Sequence, residues 1–369
     1  MGNGRQGLLA GWAATLRGWL GGRAQHGAAA AASAASADDR PMAAPPSIPA
    51  DRGADSAADA SLRLALAESS RALWRHALGA PAAAAAADGG TLRALRPALE
   101  RVLAGEFAER YFPRRPLLMP QLMAAVRDPS AAATRLADII ARDPVLAGDV
   151  LRLANSAWYR ITPDPVETLQ RAVIVCGTDG LESLAALALM QPVFRGEAAG
   201  FARLPVLLWE RTTRATLAAE QYARRVCPEE RHGAQLLVLL RALGPLVVYR
   251  VLEEQLRGRA VDAGAALACA ALLEEFGARA AARVAVRWES SERICRVLAE
   301  LDEPGSVPLA DEVLRDLAVT VEVGELLGST SILIGERVWD SAAGLRIAAE
   351  SGMPREWMIA TLTRLGRTA

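Results

Sequence analysis

Apolar residues recur along the chain at helical intervals, and the intervals divide it into unequal stretches. Leu8, Leu9, Trp12, Leu16, Trp19 and Leu20 share one face of a short predicted helix beside Arg5, Arg17 and Arg23. Residues 8–20 suit two readings: contact with a membrane surface or a partner, or a frayed tail, because the segment is short and broken by glycine. Arg17 and the glycines also interrupt the apolar run that a secretory signal requires. From His26 to Ala60 the chain turns to Ala, Ser, Asp and Pro, and lacks the large side chains that offset ordering entropy. This predicts a partly disordered, Ala-rich N-terminal leader.

Helical spacing resumes at Leu62, Leu64, Leu66, Leu73 and Trp74, and again at Leu92, Leu95, Leu99 and Leu103. The alanine run between them favours helix but buries little area per residue. Beyond Pro113 the same grammar repeats: a capping residue, a proline at the first helical position, then an apolar stripe. Asp128-Pro129 opens one such segment, with Leu136, Ile139 and Ile140 on a face. Asp143-Pro144 opens the next, with Leu146, Val150, Leu153 and Ala154. Asp164-Pro165-Val166-Glu167 reads as a reciprocal capping box, starting a helix that Gly177 would end in a left-handed conformation. Thr178 or Asp179 caps the helix of Leu181, Leu184 and Leu187. Past Pro304 the stripes continue to a last helix presenting Trp357, Met358, Thr361, Leu362 and Leu365 on one side. No run of strict alternation between hairpin turns occurs, so the predicted fold class is all-α.

Composition narrows the function classes. Of 369 residues 52% are hydrophobic, enough for a sizeable core, and no uninterrupted apolar stretch approaches the roughly 20 residues of a membrane span. All 42 basic residues are Arg and balance 42 acidic ones, so nothing global calls for nucleic acid. Cys176, Cys227, Cys269 and Cys295 lie far apart with no CxxC pair, which suits free thiols in a reducing cytoplasm. His26, His76 and His232 are the whole histidine supply. His232 beside Glu229 and Glu230 lacks a fourth ligand and reads as a solvated helix start.

Ile139-Ile140-Ala141-Arg142-Asp143-Pro144-Val145-Leu146, followed by Leu151-Arg152-Leu153-Ala154-Asn155-Ser156-Ala157-Trp158-Tyr159, resembles the signature of the HDOD family, the HD-related output domains. Gly177 and the Leu181 helix fall where that family places a glycine corner and a leucine-rich helix, although Cys176 replaces the usual leucine and Arg160 the usual glycine. The similarity runs from about Pro113 to Glu300. It implies a two-lobed helical architecture whose second lobe is HD-like, and it divides the chain into an amphipathic segment and linker (1–60), a helical leader (61–112), a first lobe (113–204), an HD-like lobe (205–303) and a C-terminal helical extension (304–369).

HD phosphohydrolases hold cations on histidines and aspartates. At the positions that the resemblance assigns to those ligands this chain has Thr212, Arg241 and Arg279, so no catalytic, metal or cofactor residue is expected and no cofactor is implied. The resemblance implies a non-catalytic, cytoplasmic module of bacterial signal transduction, whose partner is another signalling protein, with a homodimer through the C-terminal face as a further option. A degenerate phosphohydrolase or nucleotide-binding protein, using Glu210, Glu229, Glu230 and His232, is the alternative. The signature residues Asp143, Pro144, Leu151, Leu153, Ala154, Asn155, Ser156, Ala157, Tyr159 and Gly177 are structural or partner-facing; for Asn155 and Ser156, backbone capping and partner recognition both stay open.

Overall fold

The computed structural model describes residues 56–81, 86–106, 108–121, 132–155, 165–194, 203–304 and 311–366. The stripe at 8–20 and the linker, Asp128-Pro129, Ser156, Ala157, Trp158, Tyr159, Arg160 and Asp164 lie outside the described residues. All described secondary structure is helical, in one body within residues 46–369.

Two helices of the leader, α1 (Ser56–Ala77) and α2 (Gly89–Ala104), are followed by a single turn, α3 (Ala108–Tyr111). The first lobe contains α4 (Ala132–Ala141), α5 (Pro144–Ala154) and α6 (Leu169–Met190). The remainder is α7 (Arg203–Val226), α8 (Arg231–Gln255), α9 (Ala263–Arg287), α10 (Glu292–Asp302), α11 (Glu312–Gly335), α12 (Ser341–Glu350) and α13 (Arg355–Gly366).

The Asp-Pro grammar works at α5 as the spacing predicts. Asp143 accepts hydrogen bonds from the Val145 and Leu146 amides at 2.9 and 3.1 Å, and Pro144 takes the first helical position, where a missing N–H costs nothing. Leu146, Val150 and Ala154 are buried against α4 and α6. The next helix differs from expectation. It begins at Leu169, capped by Thr168, whose hydroxyl accepts from the Arg171 amide at 3.1 Å, and not with a capping box at 164–167. The reason is Asn155. Its amide nitrogen donates to the Leu151 and Val166 carbonyls at 2.9 and 2.7 Å, and its oxygen accepts from the Val166 amide at 2.7 Å. Those bonds hold Val166 outside any helix, and its side chain is buried. Asn155→Ala leaves the Val166 N–H and C=O without these partners. A loss of about 1–3 kcal/mol in denaturant unfolding is the expected result.

Gly177 does take a positive φ, but with φ 73° and ψ 176° it sits in the extended, glycine-specific region and not in the left-handed helical one. The chain turns sharply there inside α6, with the two halves inclined at 112°.

The second lobe is built around α11. Residues 317–333 of this helix are all buried, enclosed chiefly by α7, α1, α13, α8 and α10. Two segments, Pro228–Gln255 and Glu312–Gly335, are long and apolar enough to cross a membrane, beyond what the sequence reading anticipates. Their apolar character has a second cause here, since 83% and 94% of the respective windows lie buried among other helices of this fold. The α8–α9 crossing is close because Gly244 and Gly277 meet: a Cβ on Gly244 would fall 1.9 Å from the Gly277 carbonyl oxygen. The leader and the tail complete this lobe. Leu62, Leu73 and Trp74 of α1 are buried, as are Trp357, Met358, Thr361, Leu362 and Leu365 of α13, the face that the spacing of the last helix predicts.

Candidate functional site

Chemistry-bearing side chains converge in the second lobe on a cavity of about 250 Å³. α1 supplies Arg63, Leu66 and Trp74, α7 supplies Arg211, α8 supplies Arg241, α9 supplies Leu273 and Ala278, α10 supplies Leu301 and Asp302, and α11 supplies Glu322 and Glu325. Each helix delivers its residue for a local reason. Arg241 lies one turn before Gly244, where α8 presses against α9, and Glu322 and Glu325 are adjacent on the face that α11 turns toward α1, α7 and α8.

Glu325 is the centre of the arrangement. Its Oε1 is 3.0 Å from Nη1 of Arg211 and its Oε2 is 3.4 Å from Nε of Arg241. Arg211 is held further by Ser329, whose hydroxyl accepts from Nε at 2.9 Å, and by the Trp74 ring beneath its guanidinium at 5.3 Å. Burial opposes the charge on Glu325, but the Arg211 and Arg241 guanidiniums overcome it and keep the carboxyl below its ordinary range.

Glu322 behaves oppositely. Arg63 donates to its Oε1 at 3.0 Å, yet Oε2 is buried with no hydrogen-bond partner, and burial pushes the carboxyl up to about 7 against the pull of Arg63 and Arg241. A carboxyl whose folded value lies above its unfolded one binds the extra proton only when folded, so it favours folding at acid pH and loses that contribution as pH rises from about 4.3 through about 7. Urea midpoints measured across that window should fall for the wild type relative to Glu322→Gln, which carries no such proton. A constant difference between the two proteins would refute the assignment.

The residues singled out from sequence are placed variously. Arg241 lines the cavity; Thr212 and Arg279 do not. Thr212 is buried and donates to the Leu208 carbonyl of its own helix at 2.7 Å, and its neighbour Arg211 is what α7 presents. Arg279 lies outside, half exposed, 3.7 Å from Asp302. Asp143, Pro144, Leu151, Leu153, Ala154, Asn155 and Gly177 belong to the first lobe and none lines the cavity; Ser156, Ala157 and Tyr159 lie outside the described residues.

Glu210, Glu229, Glu230 and His232 do not form a ligand set. Glu210 pairs with Arg214, and Glu230 with Arg293 at 2.8 Å. His232 is not a solvated helix start: its Nδ1 contacts the buried carboxylate of Glu182, so it joins α8 to α6. Among the described residues no group of three His, Cys, Asp or Glu side chains is arranged to hold a metal ion. The cavity itself does not fit a divalent cation, because its central carboxylate is already shared by two guanidiniums, which a cation would have to displace.

Arg63, Arg211, Glu322 and Glu325 escape the sequence reading. The signal was present: Glu322 and Glu325 interrupt the apolar run Val319 to Leu327, where an unpaired charge would be costly.

The HDOD domain family model matches residues 112–304. Among solved structures, an HDOD domain protein from Geobacter sulfurreducens is 19% identical, with a TM-score of 0.50 over 73% of this chain and 94% of that one. A protein from Shewanella amazonensis, provisionally named a metal-dependent phosphohydrolase, is 16% identical with a TM-score of 0.49, covering 76% of this chain and 99% of its own. A second Shewanella amazonensis protein, provisionally named a phosphohydrolase, is 20% identical with a TM-score of 0.45, over 73% of this chain and 96% of its own. No curated protein matches the chain in sequence. At 19% identity the likeness to the Geobacter sulfurreducens structure speaks for the fold alone, while the family model spans just over half of the residues; the chain belongs to the HDOD domain family.

Proposed function

We propose that this chain is a non-catalytic regulatory module of bacterial signal transduction, located in the cytoplasm, that acts by binding another signalling protein. The observation that carries the reading is the pairing of Arg211 and Arg241 on Glu325: Arg241, at one of the positions where the resemblance expects a cation ligand, shares a buried carboxylate with a second guanidinium. Such a centre holds helices together without offering a polarised water or an open coordination position. Three signature residues support the reading by shaping the first lobe: Asp143 caps a helix, Asn155 clamps Val166 and Gly177 makes a corner.

Purified protein should not hydrolyse bis(p-nitrophenyl) phosphate above background with added manganese or magnesium. Metal-dependent turnover that disappears in Glu325→Gln or Arg241→Met would overturn the reading. Crosslinking of the tagged full-length chain inside cells should give reproducible links to one signalling protein, and links to copies of the chain alone would replace that partner by a homodimer.

A further inference from the structure

We propose that the pole of the molecule where α3 and the end of α9 meet the Pro113–Leu117 loop is a docking surface for an anionic bilayer leaflet. The inference is independent of the regulatory reading, since a module that binds another protein can also rest on a membrane.

The centre of this surface is a braced loop. The Pro113 carbonyl accepts from the Trp288 indole at 2.9 Å, and the Arg115 guanidinium donates to the Trp288 carbonyl. Pro113 and Pro116 fix two of the loop's φ angles, and Met119 beyond it is buried. Leu117 is thus held from both sides, yet it is 92% exposed. Val286, two residues before Trp288 on α9, is 60% exposed. Water penalises both side chains, and the bonds on either side of Leu117 oppose its folding back onto the body.

Charge surrounds these two residues. Arg114, Arg115 and Arg283 are exposed and pair with no carboxylate among the described residues. Arg287, one turn beyond Arg283, holds Glu109 at 2.7 Å, and Glu254 is shared by Arg110 and, at 3.0 Å, Arg257. The exposed Glu289 offsets one of these charges, and the surface stays positive.

An anionic occupant answers the guanidiniums, and the apolar apex narrows its class. Nucleic acid would gain nothing from Leu117, and Tyr111, Phe112 and Trp288 are buried and offer its bases no stacking platform. An acidic helix of a partner protein lays a row of side chains into a groove. The hollow at this pole, between Arg101, Arg110, Tyr111 and Gln255, is about 120 Å³, room for about four waters at about 30 Å³ each. A bilayer needs no groove. It takes a projecting leucine among its acyl chains, while the arginines lay their stems along the interface and keep their heads on the phosphates. The cytoplasmic leaflet supplies the negative potential.

The test is sedimentation of the full-length protein with vesicles of phosphatidylcholine alone and of phosphatidylcholine mixed with phosphatidylglycerol. Binding to the mixed vesicles alone, weakening as salt is raised, is the expected result. Leu117→Asp should weaken it about fivefold or more, and Arg114→Glu combined with Arg283→Glu about tenfold or more. All three positions are exposed, so the variants should keep the circular dichroism of the wild type. The proposal fails if the mixed vesicles bring down no protein. It fails equally if both variants bind them as the wild type does, which would move the contact elsewhere, residues 8–20 included. Protein that ignores the vesicles but binds soluble poly-L-glutamate would make this a protein-facing surface and overturn the assignment to lipid.

Discussion

Glu325→Ala should lower the stability of the full chain by about 3–5 kcal/mol, read as a shift of the urea midpoint followed by circular dichroism. The size of the effect comes from what is left behind. The Arg211 and Glu325 side chains are 4% and 5% exposed, and Arg241 adds a second guanidinium on the same carboxylate. Removing the acid strands Arg211 in a shell made by Trp74 and Ser329, where it can recover only the hydroxyl as a neutral acceptor. Glu325→Gln, which keeps one acceptor oxygen, should fall between the variant and the wild type. Replacing Arg211, Arg241 and Glu325 together by methionine should cost far less than Glu325→Ala alone, because a whole buried charge set can be exchanged for apolar contact at little net cost. A loss below about 1 kcal/mol for Glu325→Ala would mean that water screens the pair as it does at a surface.

Gly244→Val is expected to cost about 3 kcal/mol or more, at the upper end of overpacking effects, and to depress soluble expression. The position has no slack. A Cβ there would stand 1.9 Å from the Gly277 oxygen and 2.7 Å from the Ala281 nitrogen, both backbone atoms that no rotamer change can move. α8 would have to separate from α9, and Arg241, one turn earlier, would leave Glu325. The variant should therefore reproduce part of the Glu325→Ala loss on top of its own, and the two changes combined should be less than additive. Strict additivity would show that the crossing and the ion pairs are not linked.

Helical periodicity made the fold class and most of the buried faces legible in the sequence. Asp143-Pro144 announced a capped helix, and the stripe from Trp357 to Leu365 announced its buried side. The start of α6 was not legible, because the deciding interaction is Asn155 bonding to Val166 across a loop, a contact between residues eleven positions apart that no local pattern encodes. The second lobe shows the same limit. Family correspondence pointed at Arg241, which lines the cavity, and at Thr212 and Arg279, which do not; a one-residue rotation of a helix face, about 100°, separates buried Thr212 from buried Arg211, and only packing decides which of the two lines the cavity. Arg63 and Glu325 come from opposite ends of the chain and have meaning only as neighbours of a common space.

The long helix α11 starts at Glu312, beyond the last residue of the family match, and α1 ends at Ala77, before the first. Yet the lobe wraps around the former and leans on the latter. Cutting the gene at the borders of the recognised domain would thus remove the spine of the molecule and one of its walls, and bait built from residues 112–304 would display core leucines in place of its native exterior. Dissection of this protein should keep residues 56–366 as its smallest piece.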